Sequence, residues 1–283
     1  MVFSLLIGAL LLPVAVQQQT DTTFSAAGIH EMRVENMNGS TVIRGWDREQ
    51  VRVRARHDAR VHIDIDTDDG ELDIEPDSDR GAPGTVHLEI DVPARMAVEV
   101  EGVHSTITVD GINGGIDAEN VNGDVSIQGG RGSIEAMSVD GTVTVVGASG
   151  RISAESVNSG IRIRNSSGDI DAETVNGSIA LQGVRSGEVT ASTVNGPVSY
   201  DGEIRDGGNY VLSSHNGDVV MRMPSGTNAT VTVSTFNGEF EVEFPVQVRD
   251  REARGRFQFQ VGRGGASVEL ESFGGNVRVL RTR

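Results

Sequence analysis

Six carboxylates recur in a pattern that would let them act together: Asp117, Glu119, Glu135, Glu155, Asp171 and Glu173. They alternate with Ile and Ala in the words Gly115-Ile-Asp-Ala-Glu, Ser133-Ile-Glu-Ala-Met, Arg151-Ile-Ser-Ala-Glu and Asp169-Ile-Asp-Ala-Glu. Alternate residues of a strand share a face, so these acids project from one surface, roughly 4.8 Å apart if the repeats stack. Like charges at that spacing are relieved by hard cations, which take several carboxylate oxygens. Weak surface binding of Ca²⁺ is the chemistry the column permits; a solvated face that resists aggregation is the simpler account. A second column, Asn122, Asp140, Asn158, Asn176, Asn195, Asn216 and Asn237, usually precedes a Gly. A metal or sugar site built on it competes with corner-making, since Asn, Asp and Gly tolerate the left-handed conformation and stacked amides hydrogen-bond along a ladder.

Other reactive constellations are thin. There is no HExxH, no Gly-x-Ser-x-Gly and no phosphate loop. The chain has no Cys, which excludes thiolate sites and cysteine nucleophiles. All 24 basic residues are Arg, which removes Schiff-base and phosphate-loop lysines. His57 and His62 are the nearest pair of histidines, with Asp64 on the face of His62, and they read as strand surface. A net charge of −17 argues against nucleic acid as partner. Abundant carboxylates keep a polysaccharide lyase or hydrolase on a β-helix as an alternative, although the regular repeats carry no aromatic platform for sugar. The expectation is a protein that is not an enzyme and needs no cofactor.

The elements that position these residues repeat. Val103, Val121, Val139, Val157 and Val175 fall 18 residues apart, most opening words such as Val-Asn-Gly-Asp-Val. With the Ile-x-Ala words between them, each period holds two short strands, and a fixed short period marks a solenoid. Ile116 and Ala118, Val125 and Ile127, and their equivalents are expected to point inward. Calcium-binding nonapeptide rolls need a regular Asp, whereas two residues after the corner Gly stand Val125, Val143 and Val198. The fold class predicted is all-β, a single-stranded parallel β-helix of about 18 residues per coil, with irregular N-terminal strands and a C-terminal cap.

The N-terminal segment is read in the same terms. Residues 1–19 form a signal peptide around the apolar run Phe3 to Val16, too short to span a bilayer, so no membrane-spanning segment is expected in the mature chain. Residues 24–100 hold one-sided strands: Met32, Val34 and Val42; Val51, Val53 and Ala55 alternating with Arg52, Arg54 and Arg56; then Val61 to Ile65, Leu72 and Ile74, and Val86 to Val92. Arginines there are expected to face acids across strand pairs. Asp77 to Gly84 is a loop. Residues 101–202 are the regular coils and 203–283 the looser coils and cap, where Arg249, Arg251, Arg254 and Arg256 mark an excursion and Tyr210, Phe236, Phe240, Phe244, Phe257 and Phe259 supply bulk.

Gly39 to Val53, then Asp91-Val-Pro-Ala, then the Val-Asn-Gly-x-Ile coils resemble the bacterial putative-adhesin family of uncharacterised domains, from Phe24 to the C-terminus. The resemblance implies single-stranded parallel β-helices behind a signal peptide and an adhesive or envelope role, with no catalytic residues to carry over. The reading is therefore an exported binding or structural module, in the periplasm or on the cell surface, whose partner is an envelope protein or glycan. The alternatives are the carbohydrate-active enzyme and a periplasmic partner of an envelope sensor system.

Overall fold

The computed structural model describes residues 17–78, 81, 84–252 and 256–282. The apolar run before Gln17, most of the loop after Ser78, and Arg254 lie outside the described residues. Those described form strands and turns with no helix.

Parallel ladders join residues 18 apart. Ile116, Ile134, Ile152 and Ile170 stand side by side, followed by Val189 and Tyr210, while Ala118, Ala136, Ala154 and Ala172 make the next column inward, followed by Ala191 and Leu212. The facing stack aligns Val125, Val143, Ile161, Ile179, Val198 and Val219, and beside them Ile127, Val145, Ile163, Leu181, Tyr200 and Met221. All are buried. Beside the Ile column, the small Ala column presents little bulk to the interior. Where the columns switch to Tyr200 and Tyr210, the rings meet edge to face at 5.7 Å, a favoured aromatic geometry.

Spatial and sequential order part company at both ends. The first two-stack strand, Glu31–Trp46, lies between Ala97–Asp110 on one side and Glu71–Ser78 with Val86–Pro93 on the other. Likewise Ala266–Ser272 and Val277–Arg281 are inserted between the coil of Asn209–Ser214 and Val219–Met223 and the coil of Ala229–Thr235 and Phe240–Val242. The words His215-Asn-Gly and Phe236-Asn-Gly, consecutive in sequence, are thus separated in space by Phe273-Gly-Gly. Antiparallel strands follow outside: Val61–Asp68, Gln50–Asp58 and Gln17–Ser25 at one end, Arg256–Val261 and Gln247–Glu252 at the other. Antiparallel pairing gives the outermost parallel strands partners that would otherwise be missing.

Two local expectations change. Val42 points outward, and Thr41 and Ile43 are buried instead. The frame is set by the corner Gly39, two and four residues before these positions, as Gly123 sets Val125 and Ile127. The corner glycines, moreover, are mostly not left-handed, and no corner Asn or Asp has positive φ. They are glycine because of close approach: a Cβ would lie 1.9 Å from Gly123 O at Gly141, 1.8 Å from Ser159 O at Gly177, and 2.0 Å from Gly196 O at Gly217.

Candidate functional site

Each strand of the Ile-x-Ala stack ends in the same four steps: an outward residue, an inward polar residue, an outward apolar residue, then the corner. Stacking turns these steps into columns. The inward column is Asn120, Ser138, Ser156, Thr174, Thr193, Ser214, Ser272 and Thr235, most of it buried. Ser138 Oγ donates to Gly123 O at 2.9 Å, Ser156 Oγ to Gly141 O at 3.2 Å, Thr174 Oγ1 to Ser159 O at 2.9 Å and Ser214 Oγ to Gly196 O at 2.8 Å. Ser272 and Thr235 follow the spatial order, donating to Gly217 O and Gly275 O. This column satisfies carbonyls that the corner would leave unpaired, and burying a hydroxyl requires such a partner.

Outside it, two columns face each other as the walls of a long groove, floored by those hydroxyl residues and, toward the N-terminal end, by Asn36, Gly102 and Asn120. One wall is Glu35, Glu101, Glu119, Met137, Glu155, Glu173 and Ser192; the other is Met37, Val103, Val121, Val139, Val157, Val175 and Val194. Val121, Val157, Val175 and Val194 are 40–43% exposed, large values for valines repeated coil after coil. The apolar wall continues into stacked aromatic rings: His215 lies 4.8 Å from Phe273, and Phe273 lies 5.0 Å from Phe236, nearly parallel. Phe236 is 68% exposed and so is no core residue. These valines stand three residues, an odd offset, after the buried Ala118, Ala136, Ala154, Ala172 and Ala191, and so lie on the outward face.

The six outward acids fall in two columns, interrupted by neighbours that carry no charge. Glu119 and Glu155 flank Met137, and Glu135 and Asp171 flank Ser153, while Asp117 pairs with Glu135 and Glu155 with Glu173. Asp117 is half-buried, and its carboxyl is pushed up to about 6, first by burial and then by Glu119, Glu135, Glu99 and Glu101. Glu35 is raised for the same reasons, with Glu75 and Glu101 as its charged neighbours. Among the described residues, the one group of three ligand-type side chains with donor atoms within 4.8 Å of one another is His62, Asp64 and Asp77, all exposed. His57, by contrast, is buried and shares hydrogen bonds with Thr20 and the Asp58 carbonyl.

In the corner column, Asn158 Nδ2 donates to Asp140 Oδ1 at 2.8 Å, Asn176 to Asn158 at 3.0 Å, Asn195 to Asn176 at 2.9 Å and Asn216 to Asn195 at 2.8 Å. Asn122 meets His104 at 3.5 Å. Asn237 is cut off from Asn216 because Gly274 of the inserted coil lies between them. Each amide engaged end to end commits one N–H to its neighbour on one side, and its oxygen accepts from the neighbour on the other.

The chain matches the family described as Toastrack DUF4097 over residues 29–280. It belongs to that family. The chain is also similar to solved structures of a putative adhesin from Parabacteroides distasonis ATCC 8503 (12% identity, 94% of this chain and 97% of that one, TM-score 0.41) and a putative adhesin from Bacteroides fragilis NCTC 9343 (9%, 93% and 97%, 0.38). A third, described as a putative lipid binding protein from Parabacteroides distasonis ATCC 8503, has 9% identity, with 93% and 96% covered and a TM-score of 0.37. No curated protein matches the chain. Among the described residues of this Toastrack chain, no helix is long and apolar enough to cross a membrane.

Proposed function

We propose that the chain is an exported, non-enzymatic β-solenoid of about 18 residues per coil that acts as a binding or structural module of the bacterial envelope. Residues 1–19 serve as its leader, and the groove along the corner receives an envelope protein or glycan. The observation that carries this reading is the column of outward valines, with Val121, Val157, Val175 and Val194 exposed, that leads into the stacked rings of His215, Phe273 and Phe236. Single exposed apolar residues are ordinary, whereas a contiguous apolar surface marks a contact site. Family membership supports a shared fold, and the leader-like run Phe3 to Val16 supports export.

The test combines location with contact. Protease shaving of intact cells, beside a fractionated lysate, should remove the chain or leave it in the periplasmic fraction; recovery in the cytoplasm would end the export reading. Because the chain has no Cys, Val157→Cys and Thr144→Cys each carry one photo-crosslinker, on the groove and on the opposite stack. Capture of the same partner through Val157→Cys alone supports the groove, and equal capture from both positions refutes it. Cleavage of a polysaccharide that is lost in Asp117→Asn would overturn the non-enzymatic reading.

A further inference from the structure

The two walls of the groove differ in chemistry, and the difference specifies a partner. Glu35, Glu101, Glu119, Glu155 and Glu173 form no ion pair among the described residues. Arginines of the N-terminal strands pair with other acids: Arg54 with Glu89 and Asp91, Arg52 with Asp21, Arg33 with Glu99 and Glu71. Asp21, Glu71, Glu89, Asp91 and Glu99 are therefore matched, and the glutamates along the groove are left for something outside the chain. The facing valines ask for apolar side chains. Between the walls, the hydroxyls of Ser138, Ser156 and Thr174 already donate to the preceding coil, so the floor is poor in free donors for the hydroxyl groups of a sugar.

Resting on the groove as the binding surface, we propose that it takes a cationic amphipathic helix of a partner polypeptide. The helix lies along the solenoid axis, its apolar stripe on the valines and its Lys or Arg side chains on the glutamates. The periods agree. Coils repeat every ~4.8 Å and helix turns every ~5.4 Å, so each turn meets about one coil. Six coils span roughly 29 Å, or about 19 helical residues. An extended strand repeats its same-side residues every ~6.8 Å and falls out of step within two coils. Charge pairs at the rim of a contact steer association and set orientation, while the apolar wall supplies the area buried from water.

The test uses a fluorescent 19-residue peptide of Leu and Lys, with Leu at positions i, i+3, i+4 and i+7, titrated against the full chain by anisotropy. Three variant sets are compared: Glu119→Gln with Glu155→Gln and Glu173→Gln; Val157→Ser with Val175→Ser; and, as a control of equal charge change, Glu203→Gln with Asp206→Asn and Glu241→Gln. Melting curves verify that each set is folded. Both groove sets should weaken binding at least tenfold and the control less than twofold. An equal loss in the control reduces the effect to bulk charge and overturns the proposal. So does equally tight binding of a peptide of the same composition with strictly alternating Leu and Lys. A photoreactive Leu in the peptide should label the segment containing Val157 and Val175, and labelling elsewhere would also refute it. If the helix fails to bind while the Val157→Cys crosslinker still captures a partner, this inference falls and the binding-surface reading stands; failure of both removes both.

Discussion

Replacing Gly177 by Ala tests whether the corner glycines exist for close approach or for backbone conformation. The added Cβ would sit 1.8 Å from Ser159 O, where ordinary contact begins at 3.4 Å, so the coils must part locally by about 1.6 Å. Three hydrogen bonds hold this spot: Thr174 Oγ1 to Ser159 O at 2.9 Å, Asn176 N to Val157 O at 2.8 Å and Ile161 N to Ser178 O at 2.9 Å. At about 1 kcal/mol each, their loss costs about 3 kcal/mol, similar to the upper range for overpacking. For a chain of this size that lowers Tm by about 6–12 °C. Gly147 is the counterpart, with φ of 69° and nothing within 4 Å of a Cβ. Ala there incurs only left-handed strain, about 1–2 kcal/mol. Urea and thermal unfolding of both variants decide the matter. A loss in Gly147→Ala equal to or larger than that in Gly177→Ala would refute the close-approach argument.

Three further outcomes follow from the packing. Ile163→Asp places an unpaired charge in a fully buried column and should abolish soluble folding, which a wild-type melting curve would disprove. Thr174→Val keeps the shape but orphans the Ser159 carbonyl; a loss of about 1–2 kcal/mol in urea unfolding is expected, and no loss would mean that water replaces the hydroxyl. Asp117 ionises near 6 in the folded chain against an ordinary 3.8, so the folded state favours its protonated form. The cost of ionising it is fully present above about pH 6 and disappears as pH falls to 3.8. Asp117→Asn should therefore raise Tm at pH 7.5 and make no difference at pH 3.5; a gain independent of pH would contradict the shift.

The coils were legible in the sequence because every inward position repeats the same class of residue at one interval, as Ile116, Ile134, Ile152 and Ile170 do. The arginines of the N-terminal strands were legible for a similar reason, since Arg54 meets Glu89 and Asp91 across its strand pair. Val42 was misread because alternation alone has two frames, and only the corner Gly39 selects between them. Of the candidate site, the acid wall could be read in part from Glu119, Glu155 and Glu173. The apolar wall could not, because Val suits core and surface equally in a strand. The hydroxyl floor was missed because the partner of Ser156 is Gly141 O, a contact that exists only after one coil stacks on another. The insertion of Ala266–Ser272 leaves no mark on spacing, since it is decided by pairing with segments remote in the chain.

That insertion constrains how the molecule lengthens over evolutionary time. A duplication at either end of the gene would disturb a clasp, where one coil is held between two others contributed from further inside the chain. Duplicating 18 residues between Ala97 and Met223 adds one storey and leaves both clasps untouched. The near-identical words of the middle coils, beside the divergent ones at the ends, are the pattern that such growth from within produces, and each added storey lengthens the groove by one step.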